Sequence, residues 1–192
     1  ATNGTSLGNV AATDAVAGTT FSNWQITGGN AAGVFGINAS TGALTVVDRS
    51  NLNFESNTSY VLSVTVRDGV NTSSVETIAI SVLDQNDETP VITPGQTFNV
   101  SESAANGTPL GNVAATDADA GTTLSNWQIT GGNAAGVFGI NASTGQLTVA
   151  DNSTLNFEIL STYTLNVRTQ DGAGNTGSGI VFVNVSNTNE TP

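Results

Sequence analysis

The residues able to do chemistry in this chain are carboxylates, and they are gathered rather than spread. Glu55 closes a Leu-Asn-Phe-Glu tetrad, and Asp84, Asn86, Asp87 and Glu88 crowd one short stretch ending at Pro90. Asp117 and Asp119 flank Ala118, and Asp171 precedes Gly172. Fifteen acids face three bases over 192 residues, a formal charge of −12, and the bases are Arg49, Arg67 and Arg168. Acids brought together on such a chain repel, with few cations to neutralise them. A hard divalent ion resolves the repulsion. Calcium takes roughly six to eight oxygens from carboxylates, amides, backbone carbonyls and water. Asp, Asn and Glu at short spacing, with Gly-rich turns and no His, favour it over a transition metal. Asp and Asn are also turn formers, and on spacing alone that second reading stays open.

The composition excludes much else. His, Cys and Met are absent and there is no Lys. Zinc sites of the usual kind, Ser-His-Asp or Cys-His nucleophiles, disulfides and Schiff-base chemistry are therefore excluded. So acidic a chain does not suit nucleic acid or an anionic membrane surface. No run of about 18 apolar residues occurs, so no membrane insertion by this segment is expected. No signal-peptide pattern is visible at residue 1, which falls inside a module.

The elements that must position these acids come from a duplication. At an offset of 103, residues 1–48 repeat as 104–151 and differ at only six positions: Thr2, Ser6, Val16, Phe21, Ala43 and Val47. Beyond that the copies keep mainly the Leu-Asn-Phe-Glu tetrad (52–55 and 155–158), alternating apolar positions and an Asp-Gly pair (68–69 and 171–172). Tyr60, Leu62, Val64 and Val66 alternate with polar residues, as do Ile78, Ile80 and Val82. Tyr163, Leu165 and Val167, then Val181, Val183 and Val185, repeat the pattern. Each run predicts a strand with one face in a core. Trp24 and Trp127 share parity with Ile26 and Ile129, which places both rings in the core. Phe182 has the opposite parity to its neighbours and is expected outside. Asn38–Gly42 predicts a turn between two short strands, and Thr97–Val100 a strand that copy one lacks.

The expectation is all-β: two tandem seven-stranded Greek-key β-sandwiches, residues 1–88 and 89–192, the first module lacking its first strand. An uncovered sheet edge would then recruit another strand, although a boundary falling within the module accounts for the gap more simply. Loops of such a sandwich alternate between its ends. A linker joining two modules end to end would thus bring the eight acidic and amide groups named above to one junction.

Five motifs, in order, resemble those of cadherin repeats. DQNDETP (84–90) resembles the family's DxNDNxP linker, and Thr116-Asp-Ala-Asp-Ala120 its DxD motif. The tetrad LNFE resembles LDRE or LDFE. Glu102, in Asn-Val-Ser-Glu, resembles the Glu at the base of the first strand, and Asp171-Gly172 the late Asp motif. On these motifs the chain is identified as a tandem of cadherin-like, immunoglobulin-like domains, with a texture similar to bacterial surface or secreted repeats.

The resemblance implies calcium ligands Glu55, Asp84, Asn86, Asp87, Asp117, Asp119 and Asp171, with backbone carbonyls of Gln85, Glu88 and Asn126 completing the shells. It also implies departures. Asn53 stands where the family has Asp, and copy one has no first-strand Glu, so about two ions are expected at the junction rather than three. Val16 replaces the acid equivalent to Asp119, so the outer end of copy one, with Asp14 and Asp68, is expected to bind poorly. Asn187 stands where the first linker has Asp84, in a last linker one residue short, so any site there is expected to be weaker. The function implied is a calcium-stiffened segment of an extracellular adhesion or structural protein, not an enzyme, whose partners are other cadherin-like repeats of the same or a neighbouring chain. The alternative is a carbohydrate-binding module that takes surface glycans or polysaccharide.

Overall fold

The computed structural model describes residues 1–189. It divides the chain into two compact units, Ala1–Asp84 and Gln85–Pro192. The last linker, 187–192, therefore lies partly outside the described residues.

Unit 1 contains β1 (Ser6–Asn9), β2 (Ser22–Gly28), β3 (Phe35–Ile37), β4 (Ala43–Val46), β5 (Ser59–Arg67) and β6 (Glu76–Ser81). One sheet has the order β1-β4-β3 and the other β2-β5-β6, all pairs antiparallel. On β5 the alternation behaves as the sequence predicts: Leu62, Val64 and Val66 are buried and Val61 is exposed. Trp24, Phe35, Leu44 and Val46 close the core from β2 and the opposite sheet. Tyr60 packs edge-on to Phe35, with ring centroids 5.0 Å apart. Such aromatic pairs add to the burial of both rings.

Unit 2 contains β7 (Val91–Ile92), β8 (Thr97–Ser101), β9 (Pro109–Asn112), β10 (Ala115–Thr116), β11 (Ser125–Gly131), β12 (Phe138–Ile140), β13 (Gln146–Val149), β14 (Thr162–Gln170) and β15 (Thr176–Ser186). Its sheets run β12-β13-β9 and β11-β14-β15-β8, with β10 and β7 as a separate pair. The seven expected strands are all present, two of them broken. The first is split into β7 and β8, the second into β9 and β10. Gln96 holds the first break. Its Nε2 donates to the carbonyls of Thr93 (2.8 Å) and Ala114 (2.9 Å), and its Oε1 accepts from Ala114 N–H at 2.7 Å.

β8 runs parallel to β15 and pairs with it from Phe182↔Thr97 to Ser186↔Ser101. Unit 1 has no such strand beside β6 among the described residues. The packing registers this difference. Val181 and Val183 are fully buried, whereas their counterparts Ile78 and Ile80 are half-buried.

The duplicated segments fold alike to the level of single bonds. Asn30 and Asn133 each donate to the carbonyl of a Phe five residues on, at 2.7 Å, and accept its N–H at 3.1 Å. Asp48 and Asp151 each accept an N–H from the first residues of a short 3-10 turn, Arg49–Asn51 and Asn152–Thr154, at 2.9 Å. The sequence did not announce these turns, because three residues show no helical period. Trp24 and Trp127 are buried and Phe182 is exposed, as their parities require.

Candidate metal centre

Three carboxylates of unit 2 converge from two loops. The first loop follows β10. Asp117 accepts the N–H of Asp119 at 3.0 Å, a tight turn that folds Asp119 inward. Asp119 is buried, and its Oδ2 accepts the N–H of Glu88 at 2.9 Å. The second loop is the hairpin between β14 and β15. There Asp171 Oδ1 accepts three successive N–H groups, from Ala173 (2.9 Å), Gly174 (2.7 Å) and Asn175 (2.8 Å). Its Oδ2 accepts Asn175 Nδ2 at 2.8 Å. Gly174 takes φ +99°, a left-handed turn that lets three donors face one oxygen.

Carboxylate oxygens of Asp117, Asp119 and Asp171 lie within 4.8 Å of one another. Like charges at that spacing favour uptake of a shared proton or of a cation. Burial pushes the Asp171 carboxyl up, but the Asn175 side chain and the three N–H groups outweigh it and hold the pKa below the ordinary value. The Asp171 carboxylate is therefore favoured in its charged form. Arg168, the one base of unit 2, donates to Gln128 Oε1 at 2.8 Å. Asp117 Oδ2 is buried with no hydrogen-bond partner in the structure.

Asn86 completes the arrangement from the linker. One end of its amide lies 2.6 Å from Asp171 Oδ2 and 3.2 Å from Asp119 Oδ2. With nitrogen there, the amide donates to both carboxylates. With oxygen there, three acceptors face one another, and only a cation makes that favourable. In this second orientation the Asn86 nitrogen faces Thr122 Oγ1 at 3.5 Å, and its oxygen accepts Asn175 Nδ2 at 3.4 Å. The donor set is oxygen throughout and anionic, with Asp119 and Asp171 buried and Asp117 and Asn86 half-buried. It fits a hard divalent cation such as calcium and not a soft metal.

The other expected ligands lie as follows. In unit 1, Glu55 and Asp84 are exposed and bring carboxylate oxygens within 4.8 Å of each other. In unit 2, Asp87 and Glu88 do the same, with Asp87 exposed and Glu88 half-buried. Gln85 is exposed. Asn126 has φ 54°, a left-handed conformation for a residue with a side chain, at a register shift in the β11–β14 pairing. Its side chain bonds to Gln170 and Gln128. Asn53, in the tetrad, caps its own turn by accepting Ser56 N–H at 2.7 Å.

Sequence reasoning missed Asn175 and Thr122. The signal for Asn175 is the Asp-Gly-Ala-Gly-Asn run, a turn sequence whose last amide folds back on its first carboxylate. The linker Gln85–Glu88 groups with unit 2 rather than with the module expected to end at 88. Asn86 and Glu88 are bonded to loops of unit 2.

The corresponding loops of unit 1 provide an internal comparison. Asp14 accepts Val16 N–H at 2.7 Å, the same turn as Asp117 to Asp119. Asp68 accepts the N–H groups of Val70 and Asn71 at 2.8 and 2.6 Å. The scaffold is repeated without its third carboxylate, because Val16 is exposed where Asp119 is buried.

The family model for the cadherin domain matches residues 1–83 and 96–186. Protocadherin Fat 4 of Mus musculus is 33% identical over 176 residues, which is 89% of this chain and 4% of that protein. Cadherin EGF LAG seven-pass G-type receptor 2 of Homo sapiens is 34% identical over 172 residues, 85% of this chain and 6% of the receptor. This chain thus spans a small fraction of the relatives it matches. Among solved structures, mouse cadherin-23 EC22-24 aligns with a TM-score of 0.70 at 26% identity, covering 98% of this chain and 60% of that one. Protocadherin gamma B7 extracellular domains 1-4 share the fold, with a TM-score of 0.66 at 22% identity, covering 88% of this chain and 42% of that one.

Proposed function

The chain belongs to the cadherin family, as two tandem cadherin domains, and from that premise we propose that it binds calcium around the 84–88 linker and acts as a stiffened segment of an extracellular adhesion or structural protein. The observation that supports the proposal is the approach of carboxylate oxygens of Asp117, Asp119 and Asp171 to within 4.8 Å of one another, with the Asn86 amide against Asp119 and Asp171.

Asn86, Asp117, Asp119 and Asp171 would hold one ion, with the Asn126 carbonyl. Glu55 and Asp84 of unit 1, and Asp87 with the carbonyls of Gln85 and Glu88 of unit 2, are the further candidate ligands. Bound calcium supplies positive charge, which turns mutual repulsion of these groups into shared attraction. The protein's own part is placement. The Asp171 hairpin keeps its carboxylate ionised, and the Asp117 turn folds Asp119 inward. The Glu88 N–H anchors the linker to that turn.

Extracellular calcium modules have dissociation constants of about 10⁻⁴ to 10⁻³ M. At tenfold excess, each such site stabilises the folded state by about 1.4 kcal/mol. That range is of use outside the cell and not in a cytosol held at far lower calcium, which supports an extracellular location. No helix among the described residues is long and apolar enough to cross a membrane. The partners proposed are other cadherin repeats. A glycan-binding role has weaker support, since Phe182 is the one aromatic among the exposed large apolar residues described, and one ring is a poor stacking platform.

Melting and small-angle scattering with and without chelator test the proposal together. Calcium is expected to raise the melting temperature and narrow the distribution of interdomain angles. Curves that superimpose in both states would overturn it.

A further inference from the structure

Asn86 stands where the linker meets both loops of unit 2. Its amide has nearly the same shape at its two ends and opposite hydrogen-bonding character. The inner end lies 2.6 Å from Asp171 Oδ2 and 3.2 Å from Asp119 Oδ2. Neither oxygen depends on Asn86 for its position. The Asp119 oxygen accepts Glu88 N–H at 2.9 Å, and the Asp171 oxygen accepts Asn175 Nδ2 at 2.8 Å. The outer end lies 3.5 Å from Thr122 Oγ1. Asn86, Thr122 and Asn175 are all half-buried.

These surroundings receive the amide either way round. A hydroxyl both donates and accepts, so Thr122 suits an NH2 group or a carbonyl at the outer end. The inner end faces two carboxylate oxygens, which only accept, and an NH2 group there has one proton for each. A carbonyl there is favoured once a cation lies among the three oxygens. Asn175 Nδ2, 3.4 Å from the inner end, can only donate and so favours a carbonyl, but at that distance it is outweighed by two charged acceptors. The charge beside the inner end therefore decides which way the amide points.

We propose that Asn86 is a two-way positioning residue: in chelator its NH2 group takes the cation's place by bridging Asp119 and Asp171, and when calcium binds the amide turns end for end. The carbonyl oxygen then faces the ion and the NH2 group faces Thr122. This rests on the calcium reading of the site and adds how the linker responds to the ion. The linker stays fastened to unit 2 in both states, through Asn86 and through the Glu88 N–H. Calcium has to displace two charge-assisted hydrogen bonds, so an amide at this position holds the affinity below what a carboxylate would give. An Asp in its place keeps an oxygen for the ion and loses the donor.

Nuclear Overhauser contacts of the Asn86 side-chain NH2 protons, assigned through the Asn86 backbone in the whole 192-residue chain, test this. In chelator these protons are expected to contact the β-protons of Asp119 and Asp171. In millimolar calcium they are expected to contact the Thr122 methyl group instead. Asn86→Asp is expected to bind calcium about tenfold more tightly, since ligand charge tunes the affinity of such sites, and to melt lower than the unaltered chain in chelator. Three results would overturn the turnover alone: NH2 contacts to Thr122 in chelator, contacts that stay the same while the Asp119 and Asp171 carboxyl resonances follow calcium, or equal or weaker binding by Asn86→Asp. Should that variant not fold in chelator, the contacts in the unaltered chain decide. Carboxyl resonances of Asp119 and Asp171 that do not move in millimolar calcium would overturn the calcium reading itself, and the turnover with it.

Discussion

Asp119 and Val16 hold equivalent positions in two segments that otherwise differ at five places in 48 residues. One side chain separates a triad of acids, two of them buried, from a loop of the same shape that has only two. Asp119→Asn keeps an oxygen for the Glu88 N–H and removes the charge. It is expected to leave the fold intact and weaken calcium binding about tenfold or more, measured by titration calorimetry. Acid stability is also decided at this scale. The Asp48, Asp68 and Asp151 carboxyls are held below the ordinary range, chiefly by the backbone N–H groups of Ser50, Asn71 and Ser153 respectively. Glu102 is lowered in the same way by Thr188 and Phe157. A depressed folded value means that the unfolded chain takes up protons first. The stabilisation is then full above the unfolded values, about pH 4, and is lost as pH falls through the folded ones. In chelator, the melting temperature is expected to vary little between about pH 7 and pH 5 and to drop steeply below about pH 4. A melting temperature that rises on acidification would contradict these assignments.

Glycines mark where the strands of unit 2 come closest. A Cβ on Gly177 would sit 1.8 Å from the Pro90 carbonyl oxygen, and one on Gly179 would sit 2.6 Å from Ile92 Cβ. Both glycines lie on β15 where β7 crosses it, and unit 1 has Ser74 and Glu76 at these positions. Gly177→Ala is expected to destabilise unit 2 by about 1–3 kcal/mol through forced separation of these strands. Trp127→Ala removes the largest ring of the same core and is expected to cost about 3–5 kcal/mol. Denaturant melts of both variants measure the losses.

Much of this architecture was legible beforehand. The alternation on β5, β6, β14 and β15 fixed which residues enter the core, and the duplication carried each reading from one copy to the other. β7 was not legible, because two residues show no period, and its presence is written only in the glycines it needs. The site divided in the same way. Residue type and charge imbalance pointed to Asp117, Asp119 and Asp171. The donors that orient them, Glu88 N–H and Asn175, belong to local turn geometry and leave no periodic trace.

At the scale of the whole molecule, the two units have separate cores, and among the described residues β6 has no neighbour of the kind that β8 gives β15. Unit 1 is expected to unfold at lower denaturant than unit 2, visible as two transitions reported by Trp24 and Trp127. The proposed calcium binding around the linker would tie this scale to the first, since the charges gathered there are what the ion would change. The most direct measurement is a calorimetric titration of the full chain with calcium, run beside Asp119→Ala. The account predicts about two ions bound at millimolar or sub-millimolar affinity, and loss of at least one in the variant. No heat of binding in the unaltered chain at millimolar calcium, or identical curves for the two proteins, would contradict it.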